Sequence, residues 1–450
     1  MTRQLLLGGF EEFTPSFISN AWPHALSDPA GFAGLTGWTE LARELEAGGF
    51  DFLFFADAIG YPMVEDDIPE TVVREAVQFP VHDPIPLIAA LAARVPRLGF
   101  AVTASTTADA PFLLARRFAT LDALTDGRVG WNVVTSDLQT ALVRLLGQRS
   151  VTPHDERYDR ADEFVDLALQ LWEGGWSDGA IVADKAARIF TDPAAVHRIR
   201  HSGRYFDFDG LFPVAPSPQR SPVLFQAGTS PRGRRFAGRI AEVVFIQERD
   251  SARAAAIVAD LRDLAQAAGR PRDAVRIVNS ISVVVGRTEQ QARELRASLE
   301  AAPSRDAMAA LFLGWSGVNL LGLDPATPMS SLSTEVGQTT LASAQHAGAT
   351  VGEALDSLTA ALGGPKITGT ADQAADGIER LAADTDVDGF LIEHTFGGLA
   401  TYRAVLDEVI PRLRDRGLVP AVPRGGTLRE RLTGGGARLP ARHPGAAFRV

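Results

Sequence analysis

The chain of 450 residues contains no cysteine, so disulfides and thiolate metal sites are excluded, and a reducing, cytoplasmic setting is expected. It has no run of 18 or more apolar residues; even Phe52 to Phe55 sits between Asp51 and Asp57. Neither a membrane span nor a signal peptide is therefore expected. A basic balance is also missing. The net charge of -11 argues against nucleic acid as a partner, since phosphate contacts favour a positive surface. No GxGxxG closes the first strand, which removes the usual mark of a dinucleotide-binding doubly wound sheet. Positive charge does collect at the end, where Arg424, Arg429, Arg431, Arg438, Arg442 and Arg449 stand among Gly and Pro. The part after Leu432 reads as a basic tail, poorly packed or laid on a partner subunit.

What is present is alternation. Short apolar strands are expected at Gln4 to Phe10, Phe50 to Asp57, Leu98 to Thr106 and Val129 to Ser136, then at Val223 to Ala227, Glu242 to Gln247, Arg276 to Val285 and Gly389 to His394. Between them run segments with apolar residues three and four apart, including Trp38 to Ala47, Leu113 to Leu124, Ala252 to Ala268 and Ala371 to Ala383. Eight strands with intervening helices predict an α/β fold, a (β/α)8 TIM barrel of about residues 1–432 forming one domain. Two stretches interrupt the alternation, about 147–220 and 314–365, and loops of such length are expected to be lids. Trp315, Leu320 and Leu321 in the second suit a cover over a cofactor face.

Sites on such barrels lie where strands end. The second strand is apolar until Asp57. The third alternates Leu98, Phe100 and Val102 with Gly99, Ala101, Thr103 and Ser105, so that small and hydroxyl side chains face inward and leave room for a flat ring. In the fourth, Asn132 shares a face with Gly130, Val134 and Ser136, and its amide suits the edge of a flavin or pterin. Two helix starts lie further along. At Thr152 to Asp155 the order Thr-Pro-x-Asp resembles a capping box, with His154 and Tyr158 four apart on one side. In AGTSPRG, Gly228 is followed by Ser230 as N-cap and Pro231 in the first turn. Two helix N-termini at one mouth, both with hydroxyl groups, point to a phosphate.

These residues stand in text that resembles the bacterial-luciferase-like, FMN-dependent monooxygenases, the branch with nitrilotriacetate, dibenzothiophene sulfone and long-chain alkane monooxygenases. The matching stretches include TASTT, ARRFATLDALTDGRVGWNVVTS, HDERYDRADEFVDLALQLWEGGW, HSGRYF, SPQRSPVLFQAGTSPRG, VIPRLRDRGL and TLRERL, in order from Gln4 to about Leu432. The resemblance implies a two-component enzyme. A separate NAD(P)H:flavin reductase supplies reduced FMN, and O2 then oxygenates a small organic substrate through a flavin peroxide. It places the ring near Asp57, Thr103 and Asn132 and the phosphate near His154, Tyr158, Gly228 and Ser230. It also implies a homodimer or homotetramer.

Some positions depart from the pattern. Ala123 stands where the family often has histidine, Phe112 where it often has tyrosine, and the absence of cysteine weakens an alkane assignment. His24, in the loop after the first strand, and His394, ending the eighth, are candidate catalytic residues; His197 and His201 read as structural. Three other readings stay open: a deazaflavin-dependent oxidoreductase, a non-catalytic flavin-binding protein, and a glycosidase using Asp57 and Glu393. The apolar second insertion favours an uncharged, hydrophobic substrate.

Overall fold

A computed structural model of the chain describes residues 4–15, 20–64, 67–135, 139–147, 152–228, 230–334, 341, 344–345, 349–395, 399–422 and 424–450. Eight parallel strands close a barrel: β1 (Leu6–Glu12), β2 (Phe52–Ala56), β3 (Gly99–Ser105), β4 (Val129–Val134), β5 (Val223–Gln226), β6 (Val243–Ile246), β7 (Arg276–Val285) and β8 (Gly389–Glu393). Each strand pairs with its sequence neighbour, and Leu6 of β1 lies opposite Gly389 of β8, so no edge is left unpaired. All eight expected strands are present, within a few residues of the expected limits. Ser136, expected at the end of the fourth, lies outside the described residues. An additional strand, Lys366–Gly369, pairs with the part of β7 that extends past the barrel.

Alternation along the strands builds two cores. Leu6 and Phe10, Phe52 and Phe54, Ala101, Phe225, Phe245 and Val278 pack inside the barrel, while Leu5, Leu53, Phe55, Phe100, Val102 and Trp131 pack against the outer helices. The interior is plugged by phenylalanine rings. Phe54 lies 5.3 Å from Phe10 and 5.0 Å from Phe245, both edge-on, which fills the lumen below its C-terminal end.

The N-terminal end is closed by the chain's own C-terminal part. The helix Leu428–Thr433 inserts Leu428 and Leu432 into the inner core. Arg429, fully buried, bonds Glu242 at 2.6 and 3.0 Å and the carbonyls of Gln219, Ser221, Pro222 and Ala437. The loose tail expected after Leu432 is corrected, because that segment is docked on the barrel. Arg438 and Arg449 both reach the buried Glu173, at 3.2 and 2.9 Å, and Leu439 and His443 are buried. Of the arginines read as a sign of exposure, Arg424, Arg429, Arg438 and Arg449 are partners for buried carboxylates of the same chain.

The first long insertion is also not a lid. Its helix, His154–Gly174, packs Phe164 and Trp172 on Trp131, outside the barrel. Two hairpins come next, Ile181–Asp184 with Ile189–Thr191 and Arg198–Ser202 with Asp207–Leu211. The second is tied to that helix by His201 and by the backbone of 204–206, all bonded to Glu163. His197 is bonded to Ser177, so both insertion histidines are structural. In the second insertion, Trp315 and Leu362 pack against the inner core beside Ala56 and Ala227, at the ends of β2 and β5. They roof the mouth. Leu320 and Leu321 instead pack in a separate cluster with Phe312 and Met329.

Candidate active site

The C-terminal mouth of the barrel carries a layer of polar side chains above the phenylalanine floor. Asn132, from β4, and Thr103, from the opposing register position of β3, are both buried, and the Asn132 amide donates to the Thr103 hydroxyl at 2.9 Å. One N–H of the Asn132 amide is engaged there, and its Oδ1, on the inward face of β4, is buried with no partner among the described residues. Ser280 of β7, on the inward face, likewise keeps a buried hydroxyl oxygen without a partner among the described residues. Buried polar atoms are nearly always paired. Two orphans converging on one lumen are what a polar ring edge would satisfy.

The carboxylates divide by face. Asp57, just past β2, has its pKa pushed up to about 7 by burial, with Asp83 adding to the shift. Glu12 ends β1 on the inward face shared with Leu6 and Phe10; it is 1% exposed, and burial, aided by Asp57, holds its carboxyl well above the usual range. Sequence reasoning missed Glu12, because the first strand was ended at Phe10 although its alternation continues. Glu393, also inward, is raised by burial and is occupied by the Gln247 amide at 2.9 Å and the Gly364 N–H at 3.1 Å. β1 lies between the strands of Asp57 and Glu393, and the two carboxylates have different neighbours.

His394 requires a correction. It continues the parity of Phe390 and Ile392, which pack in the outer core, and its Nδ1 lies 2.7 Å from Oε2 of Glu11, with both side chains 3% exposed. Burial opposes its charged form, but the Glu11 carboxylate prevails and raises its pKa. The pair sits outside the strands, where Tyr402 accepts the Phe10 N–H at 3.1 Å. His24 is placed against the helix Glu289–Glu300: its Nε2 is 3.1 Å from the Ser298 hydroxyl, and its Nδ1 accepts the Leu26 N–H. Neither histidine is a luminal group.

The two helix starts do meet. The helix Pro231–Ile240 is capped by Ser230, whose oxygen accepts the Gly233 N–H at 3.0 Å. A methyl group placed on Gly228 would come within 2.9 Å of the Tyr158 hydroxyl, and one on Gly233 within 2.7 Å of it. Glycine at both positions is thus what lets the Tyr158 hydroxyl approach the Ser230 turn. Across some seventy residues of sequence, Tyr158, Gly228, Gly233 and Ser230 form one small cradle at a helix N-terminus. His154 packs edge-on against Tyr158 at 5.2 Å, but it is half exposed and its Nδ1 is held by Asp155 at 2.9 Å. The expected Thr152 cap is corrected: Pro153 occupies the N-cap position, with no side-chain cap bond.

Comparison with known proteins agrees with this architecture. Residues 16–389 match the luciferase-like monooxygenase family. The chain is 38% identical to the dimethyl-sulfide monooxygenase of Hyphomicrobium sulfonivorans, over all of this chain and 94% of that protein. It is also 38% identical to the long-chain alkane monooxygenase of Geobacillus thermodenitrificans, over all of this chain and 99% of that one. Among solved structures, a riboflavin lyase bound to modified FMN and riboflavin superposes with a TM-score of 0.94 at 37% identity, covering both chains fully. No helix among the described residues is long and apolar enough to cross a membrane. The chain belongs to the luciferase-like monooxygenase family, a group of flavin-dependent oxygenases.

Proposed function

We propose that the protein is the oxygenase component of a two-component system, receiving reduced FMN from a separate NAD(P)H:flavin reductase and using O2 to oxygenate a small organic substrate. The observation that carries this reading is the pairing of a layer of unsatisfied polar groups inside the barrel mouth with a hydroxyl-lined helix N-terminus at the same mouth. The Asn132 Oδ1 and Ser280 Oγ orphans and the Gly228–Gly233 cradle fit the two ends of FMN.

In this reading the Tyr158 hydroxyl and Ser230 hold the phosphate. Ser230 accepts from its own helix, so its hydroxyl hydrogen is available to donate to an anion beside the positive helix end. Thr103 and Asn132 orient the ring edge, and Asp57 lies at its rim. Gly228 contributes space rather than a side chain. Trp315 and Leu362 exclude water above the ring, which strengthens each polar contact below. When bound and reduced, FMN supplies the electrons that activate O2. His154 is an outer phosphate neighbour, and His24 and His394 have no part in the chemistry.

The roof of Trp315 and Leu362 favours a hydrophobic, uncharged substrate; the riboflavin lyase neighbour makes a second flavin the other substrate to test. The reading also takes the enzyme to be cytoplasmic and a homodimer or homotetramer. The test is a product screen with NADH, FMN and O2, with and without an added flavin reductase, against sulfides, sulfones, alkanes, polycarboxylates and riboflavin. Oxygenated product only when the reductase is present is expected. Efficient turnover without it, or oxygen consumption yielding peroxide alone, would reject the assignment, and deazaflavin-dependent turnover would replace it.

A further inference from the structure

The luminal layer contains one group that the cofactor reading does not use. Glu12 is 1% exposed, sits on the inward face of β1 two residues beyond Phe10, and its Oε2 is buried without a hydrogen-bond partner among the described residues. An ionised carboxylate above an apolar floor with no donor is among the costliest arrangements a protein interior can hold. The neighbouring groups do not relieve it. Asp57, at the end of β2, is acidic and has Asp83 behind it. Glu393, from β8, is spent on Gln247 and Gly364. The Glu11–His394 pair faces the other side of the sheet, and Arg296, outside β7, is bonded to Ser282 and Thr368.

We propose that Glu12 enters the site as a neutral carboxylic acid and donates a hydrogen bond to the bound flavin ring. This rests on the FMN reading above and adds a contact to it. The chemistry of the lumen supports the assignment. The Asn132 Oδ1 presents an acceptor, and a ring edge that carries both N–H and C=O groups also calls for a donor. A neutral acid supplies that donor. An ionised one would repel a reduced, electron-rich ring. The arrangement is of the kind in which an apolar site keeps a carboxylic acid protonated so that it can donate.

The test is FMN titration of the purified protein, followed by flavin fluorescence, at about pH 7 and about pH 9, both above the ordinary carboxylate range. At the lower pH, Glu12→Gln, whose amide still donates, is expected to bind within about twofold of the unaltered chain, and Glu12→Met about tenfold more weakly, the loss of roughly one hydrogen bond. In an Asp57→Asn background, which removes the nearest other titrating carboxyl, affinity is expected to fall about tenfold from the lower to the higher pH. Adding Glu12→Gln should abolish that fall. Thermal melts identify any variant that has not folded, and the remaining variants still decide the matter. Equal affinity of the Gln and Met variants, or the same pH dependence with and without Glu12, overturns the proposal. If the unaltered chain binds no FMN at either pH, it is the cofactor reading that fails, and the role of Glu12 falls with it.

Discussion

At the N-terminal end of the barrel, Arg429 is fully buried and bonds Glu242 together with four backbone carbonyls. At the C-terminal end, Glu12, Asn132 and Ser280 are also buried, yet each keeps an oxygen with no partner among the described residues. Both ends place polar groups where water does not reach. The Arg429–Glu242 network is met from within the chain, and the three oxygens at the mouth are not met among the described residues. A closed network serves stability, whereas unmet hydrogen-bonding capacity is tolerated where a ligand completes it. In a barrel of this kind the two ends divide that labour.

The largest effect expected from this contrast is at the closed end. Arg429→Ala strands Glu242 as an unpaired buried charge and should cost about 3 to 5 kcal/mol, measured by urea unfolding. A loss below about 1 kcal/mol, the range of an exposed pair, would mean that the network is not what closes the barrel. At the open end, Ser230→Ala and Tyr158→Phe should each weaken FMN binding by about 1.5 to 3 kcal/mol, because each removes a hydrogen bond to a charged group; Ser230→Ala also loses its helix cap, about 1 kcal/mol of stability. Unchanged affinity in both variants would remove the phosphate from the cradle.

The ends should also differ in the sign of their pH dependence. Burial works to raise the pKa of Glu242, but Arg429 outweighs it and holds the carboxyl below its ordinary value. The stability from this pair is present above the ordinary carboxylate range and is lost as pH falls through the lowered value. Asp57 is the reverse, raised from 3.8 to about 7. Its folded form holds the proton more tightly, so its contribution is complete at acidic pH and is lost as pH rises through about 7. Unfolding curves across pH should show Asp57→Asn flattening only the slope between these two values; a flattened acid limb would contradict the assignment. The smallest effect is expected for His154→Ala, since the ring is half exposed and already engaged by Asp155. A loss of at most about 1 kcal/mol in FMN affinity fits an exposed interaction, and a larger loss would promote His154 to a principal phosphate ligand.

The barrel itself was legible because burial on both faces imposes a short apolar run on every strand, and β1 to β8 all carry one. Thr103, Asn132 and Ser230 were legible because strand ends and N-caps have local signatures. The hairpins between Ile181 and Leu211 were not, since their strands are mostly exposed and show no buried face. The tail was misread because arginines among glycines have the composition of a solvated segment; nothing local reveals that Glu173 waits inside for Arg438 and Arg449. Glu12 was passed over because the first strand was expected to end at Phe10, whereas it continues to Glu12.

Periodicity, caps and turn residues depend on neighbours a few positions apart, and so the sequence alone determined the eight strands, their inward faces and the helix start at Ser230. Which buried polar groups find partners depends on contacts hundreds of residues apart. The pairing of Glu11 with His394 spans 383 positions and that of Glu242 with Arg429 spans 187. Only the closed tertiary structure could decide that His394 turns away from the lumen, that Arg429 is satisfied, and that Asn132 and Glu12 are left facing the site.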